Sequence, residues 1–105
     1  MVQKKDLKII RDFTNKISRV MPIQKIILFG SRANGKTHQW SDFDIIIVSP
    51  KFRGVDSFRR GSIFYDYWNY DYPVDFICYT PEEFNRLKKK ISIVREALSR
   101  GIVVK

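Results

Sequence analysis

Cysteine and histidine are almost missing from this chain: Cys78 and His38 are the only examples of each. A lone cysteine cannot close an internal disulfide, and one Cys with one His makes no zinc-ligand set. Cys78 sits in an apolar run and reads as a buried core residue, and His38 as an exposed loop residue. No apolar run approaches the ~20 residues of a membrane-spanning helix, and no leader-like segment is visible. A cytoplasmic location with no membrane contact is therefore expected. Repeats, low-complexity stretches and linkers are absent too, which leaves one domain over residues 1–105. Acidic residues are few, 11 against 20 Lys and Arg, for a formal net charge of +9.

That charge favours anionic partners: nucleotides, nucleic acid or an acidic protein surface. It is spread over Lys4, Lys5, Arg59, Arg60 and the run Lys88-Lys89-Lys90 rather than gathered in a tail. Nucleic acid thus stays open as a partner without being favoured. A hydrophobic fraction of 44%, with eight Phe, five Tyr and two Trp, marks a chain that folds around a core. The aromatics Phe64, Tyr65, Tyr67, Trp68, Tyr70 and Tyr72 crowd one stretch. Most are expected in the core, and the rest on a partner surface.

Leu7, Ile10, Phe13, Ile17 and Val20 recur at helical spacing, and Pro22 follows them. They predict an amphipathic first helix. Ile23 to Phe29 and Phe43 to Val48 read as buried strands, stopped by Gly30 and by Ser49-Pro50. Asn34-Gly35 marks a turn, and only a helical turn or two fits between those strands. Phe58 to Tyr70 is expected to be helical despite Gly61. Val74 to Tyr79 is a third strand. Thr80-Pro81-Glu82-Glu83 carries a capping box and opens a last helix, whose apolar face is Phe84, Leu87, Ile91, Val94 and Leu98. Gly101 would close it in the left-handed conformation, and Ile102-Val103-Val104 suits a short edge strand. This alternation predicts a small α/β domain with a three- or four-stranded mixed sheet flanked by helices.

Asp42 and Asp44 stand two residues apart at the mouth of the second strand, so their side chains point to one face about 6.5–7 Å apart along the strand. Like charges beside a buried strand repel and are costly to desolvate. A hard cation relieves that cost, and paired carboxylates suit Mg²⁺. Asp75, near the start of the third strand, joins them if the two strands are neighbours. Three carboxylates can then organise two metal ions for phosphoryl displacement, with Asp75 as a ligand or as the general base. Upstream, the first strand runs into Gly30-Ser31-Arg32. Gly30 allows a tight turn and close backbone approach. The next helical turn aims N–H groups at an anion. The Ser31 hydroxyl and the Arg32 charge would add phosphate contacts.

Gly30-Ser31, ten residues, then Asp42-Phe43-Asp44, with Asp75 in Val74-Asp75-Phe76, resembles the DNA polymerase β nucleotidyltransferase superfamily. Gly30-Ser31-Arg32-Ala33-Asn34-Gly35 and Ser41-Asp42-Phe43-Asp44 resemble its minimal branch, over nearly the whole chain. The resemblance implies metal-dependent transfer of a nucleoside monophosphate, usually AMP from ATP with two Mg²⁺, to a hydroxyl. It also implies a role as the antitoxin of a toxin-antitoxin pair, in a hetero-oligomer with an all-helical HEPN toxin that some relatives adenylylate on tyrosine. An antitoxin acting by binding alone is the alternative. No acceptor-binding lobe is expected beside this domain, so a docked protein is the expected acceptor. Gly30 to Thr37 also fits the P-loop string. A P-loop would need a long helix starting at Lys36-Thr37 and an acid at the far end of a strand, and neither is in the pattern.

Overall fold

A computed structural model describes residues 1–36 and 41–105. His38 and the Thr37 that ends the P-loop-like string lie outside the described residues. The elements are α1 (Lys4–Ser18), β1 (Lys25–Phe29), α2 (Ser31–Asn34), β2 (Phe43–Val48), β3 (Val74–Tyr79), α3 (Pro81–Leu87), α4 (Ile93–Arg100) and β4 (Ile102–Val103). Three 3-10 turns, Pro50–Phe52, Ser57–Arg59 and Ser62–Tyr67, fill the path from β2 to β3. Among the described residues no helix is long and apolar enough to cross a membrane.

The strands lie in the order β3-β2-β1-β4. β1 is antiparallel to β2 and β4, and β2 is parallel to β3, so the sheet is mixed and four-stranded. β2 is interior, which explains its unbroken run Ile45-Ile46-Ile47-Val48. A strand covered on both faces has no solvent side on which to place polar residues. Side-chain alternation divides the apolar residues into two cores. Ile26, Leu28, Ile45 and Ile47 pack with Ile10, Phe13 and Ile17 of α1. Ile27, Ile46 and Val48 pack with Phe84 of α3 and with Val94 and Ala97 of α4. Cys78 is buried, and burial pushes its thiol up to about 12.

The structure departs from the sequence reading in several places. Phe58 to Tyr70 is not a continuous helix but two short 3-10 turns. A regular helix would spread these rings around its whole circumference. The irregular path instead sends Phe64 and Trp68 inward, Trp68 meeting Phe13 and Phe43 edge-on with centroids 5.2 and 5.1 Å away. The same path covers the free edge of β3. Arg60 donates to the Cys78 carbonyl, and the Tyr65 hydroxyl reaches the Val74 carbonyl. Outward carbonyls that would template another strand are occupied in this way.

The last helix is broken. Its start is as expected: Thr80 Oγ accepts from the Glu83 N–H, and the Glu83 carboxylate accepts from the Thr80 N–H. α3 then stops at Leu87, before three consecutive lysines. Ser92 opens α4, its Oγ accepting from the Arg95 N–H and donating to the Leu87 carbonyl. Serine competes well for backbone in this way. The break leaves Ile91, expected on the apolar face, 96% exposed. Gly101 has φ −87°, so it is no left-handed cap. Glycine is required there for space, since a Cβ would come 2.7 Å from the Leu28 carbonyl oxygen. Val20 lies beyond the end of α1 and is exposed.

Candidate active site

The parallel pairing of β2 with β3 sets Asp44 directly opposite Asp75. Neighbouring strands run about 4.8 Å apart, so two carboxylates stand side by side at the start of both strands. Alternation puts them on the face that carries Ile46, Val48, Ile77 and Tyr79, the one covered farther along by α3 and α4. Asp42 is exposed just ahead of β2. Burial pushes the Asp44 carboxyl above the ordinary aspartate range, and the charges of Asp75 and then Asp42 push it further the same way. The three acids thus form one electrostatic cluster with Asp44 the most enclosed. Among the described residues no trio of His, Cys, Asp or Glu side chains has already converged into a metal cage.

Gly30 connects this cluster to the end of β1. Its φ of +75° is a conformation that disfavours any side chain, and a Cβ would lie 2.5 Å from Asp44 Oδ2. Backbone and the Asp44 carboxylate therefore share a space that only glycine leaves open. α2 begins at the next residue, with half-buried Ser31 first. The N–H groups of Ser31 and Arg32 have no carbonyl one turn back within so short a helix and point out of its start.

The Arg32 side chain does not take the phosphate role expected for it. It is fully buried, with Nη1 3.2 Å from Asp6 Oδ1 and 3.3 Å from Oδ2. Nε and Nη2 both donate to the Ser41 carbonyl, at 3.1 and 2.8 Å. The guanidinium lies between the rings of Phe43 and Tyr72, 4.7 and 4.5 Å from their centroids. Arg32 is enclosed because each of its three nitrogens has a partner that is itself buried or backbone. It ties α1 and α2 to the residue before Asp42, so its contribution to the cluster is position. Asp6 is the residue that sequence reasoning missed. Its signal was present: Asp6, Ile10, Phe13 and Ile17 share the helical spacing of the buried stripe, and an acid on that stripe demands a buried cation.

Residues 7–100 match the nucleotidyltransferase domain family. The chain belongs to that family. No curated protein matches the chain. Among solved structures, one similar chain is a provisionally named nucleotidyltransferase from Sulfolobus solfataricus, 22% identical, with a TM-score of 0.67 over 94% of this chain and 78% of that one. At that identity the likeness shows the fold, a small α/β nucleotidyltransferase fold with a mixed sheet. The P-loop alternative falls with it: β2 begins at Phe43, which leaves no room after Lys36 for the long helix a P-loop needs.

The shared space at Gly30 makes it a sensitive position in this nucleotidyltransferase. Gly30→Ala is expected to lower stability by about 1–3 kcal/mol from the backbone conformation alone, φ +75° with ψ −158°. It should also drive the Asp44 carboxylate out of place, so that Mg²⁺ and nucleotide affinity fall together. Urea denaturation and titration calorimetry on the same variant check both effects. Unchanged affinity would show that the turn does not border the binding site.

Proposed function

We propose that this nucleotidyltransferase moves AMP from ATP to a hydroxyl of a protein partner, and that the partner is a HEPN toxin which it silences as an antitoxin. The observation that carries the transfer chemistry is the register pair Asp44–Asp75 beside Gly30. The donor set fits Mg²⁺: carboxylate oxygens only, with Asp44 raised by burial and then by its acidic neighbours, and with room left for water and phosphate oxygens. Asp42, Asp44 and Asp75 would hold one or two such ions, which neutralise the cluster and the triphosphate charge when bound. The chain's own groups do the rest. Gly30 lets the triphosphate approach the backbone, and the Ser31 hydroxyl and the first N–H groups of α2 hold its oxygens. Asp75, exposed at the strand start, accepts the proton of the acceptor hydroxyl as that oxygen bonds to the α-phosphorus. The bond from the α-phosphorus to the bridging oxygen breaks, and pyrophosphate leaves.

Support for a protein acceptor comes from the segment along the β3 edge. Phe58 is 81% exposed there, and Ile63 and Tyr65 are exposed beside it. Tyr65 packs on Phe76, and its hydroxyl is pushed up by burial first and then by the Asp75 charge, so this apolar surface reaches the carboxylates. A partner docked on it would present its own hydroxyl to Asp75.

The test is incubation with labelled ATP, Mg²⁺ and a purified HEPN-family protein as the candidate acceptor. Label on that protein, lost without metal or with Asp44→Asn, is the expected result. Tight binding without label would replace transfer by neutralisation through binding alone. Neither label nor binding would remove the antitoxin role.

A further inference from the structure

The Tyr65 hydroxyl is 3.5 Å from the carbonyl oxygen of Val74, the residue before Asp75, on the outer edge of β3. Its ring stands edge-on to Phe76, the residue after Asp75, with centroids 4.9 Å apart. A phenol therefore sits beside the carboxylate that would take a proton from an acceptor. We propose that Tyr65 is itself an acceptor: without a partner, the chain transfers AMP from ATP to the Tyr65 hydroxyl of its own molecule. This modification site rests on the nucleotidyl-transfer reading.

The backbone at Tyr65 is anchored and the side chain is not. The preceding Phe64 is 1% exposed and packs against Phe52 and Phe76, with centroids 5.9 and 5.8 Å away. Tyr65 is 51% exposed. Its contact with the Val74 carbonyl is well beyond the ~2.7–2.8 Å of a firm O–H···O bond, so little restrains the phenol from a nearby phosphorus. The other tyrosines are engaged elsewhere. Tyr70 donates to Asp12, Tyr72 lies over the Arg32 guanidinium, Tyr67 packs on the α1-side core, and Tyr79 ends β3. In the step, a lone pair of the Tyr65 oxygen forms the bond to the α-phosphorus, and the phenolic proton passes to Asp75. The bond from the α-phosphorus to the bridging oxygen breaks, and its electrons leave with pyrophosphate. A phosphodiester between Tyr65 and adenosine remains. An acceptor held in the same chain is already confined near the site, an advantage that a second molecule gains only on docking. A partner on the β3 edge would cover Tyr65 and offer its own hydroxyl instead.

The experiment is incubation of the full chain alone with labelled ATP and Mg²⁺, followed by peptide mass spectrometry. Label is expected on Tyr65, at a rate per molecule that does not change with protein concentration. Tyr65→Phe keeps the ring on Phe76, so it should fold normally and lose the label, and Tyr70→Phe should retain it. A second readout needs no turnover. With Mg²⁺ and an ATP analogue carrying a methylene in place of the α,β-bridging oxygen, the NMR signals of the Tyr65 ring should shift and those of Tyr70 should not. Label on another residue, label that persists in Tyr65→Phe, or a rate that rises with protein concentration would overturn the intramolecular site. A bound analogue that leaves Tyr65 unshifted would do the same. If a purified HEPN-family protein is labelled and the chain itself never is, this inference fails and the transfer reading stands. If neither is labelled, both fail.

Discussion

Asp44→Asn is expected to make the metal-free protein more stable at neutral pH while cutting nucleotidyl transfer by about a hundredfold or more. The first effect follows from the raised carboxyl. A group whose folded pKa exceeds its unfolded value contributes stability that is present below the unfolded pKa and lost as pH rises through the folded one. At neutral pH ionised Asp44 therefore opposes folding, through its burial and its repulsion by Asp75 and Asp42. An amide of the same shape removes that opposition. The gain should disappear below about pH 3.5, where the wild-type carboxyl is protonated in both states. Denaturation midpoints at neutral and at acid pH measure it. The second effect follows from the register, which makes Asp44 the carboxylate nearest both Asp75 and Gly30. Loss of a partner one shell farther from a metal already costs 10–100-fold, and a direct ligand costs at least as much. Saturating Mg²⁺ should accordingly raise the wild-type midpoint and leave the variant's unmoved. A variant less stable than wild type at neutral pH without metal would show that repulsion does not govern the cluster. Retained transfer would take Asp44 out of the site.

Site and fold were legible to different depths, for physical reasons. The two buried strands announce themselves because a central strand must be apolar on both faces, so Ile26 to Phe29 and Ile45 to Val48 leave few alternatives. Asp42 and Asp44 stand out against such a strand because carboxylates are costly there. The register of Asp44 with Asp75 was not legible. It is set by the parallel pairing of strands joined by a long irregular segment, and nothing local encodes which residues of β2 and β3 come opposite. The failures share one cause. Phe58 to Tyr70 and the stretch from Leu87 to Ser92 have periodicities that admit a helix, yet tertiary demands prevail. Rings had to turn inward over α1 and the β3 edge, and Ser92 stopped one helix while starting another. Ile91 fitted the helical stripe in sequence and points to solvent because the stripe is interrupted three residues earlier. Arg32 shows the same limit at the site. Beside Gly30-Ser31 an arginine suggests a phosphate, and only the fold reveals that Asp6, on another helix, claims it.

Arg32→Ala is expected to cost about 3–5 kcal/mol of folding stability, the range for removing one partner of a buried ion pair. Small domains have roughly 5–15 kcal/mol in total, so the variant should be close to unfolding. Asp6 is fully buried, and without the guanidinium its charge would be stranded. The Ser41 carbonyl would lose two donors, and the Phe43 and Tyr72 rings the cation between them. Arg32→Lys should recover little, because one ammonium cannot reproduce a planar fork that binds a carboxylate and a carbonyl together while lying between two rings. The double variant Arg32→Met with Asp6→Leu should recover most of the loss, since neither charge is then left alone. A phosphate-binding arginine would behave in the opposite way: Arg32→Ala would fold normally, and the harm would fall on nucleotide affinity. Chemical denaturation of the three variants, with ATP titration of those that fold, separates the two roles. A stability within about 1 kcal/mol of wild type for Arg32→Ala would sink the structural role. In the double variant Ser41 is freed from Arg32 while the core stays filled. A loss of transfer there at full stability would show that the buried pair, rather than the packing around it, sets the position of Asp42.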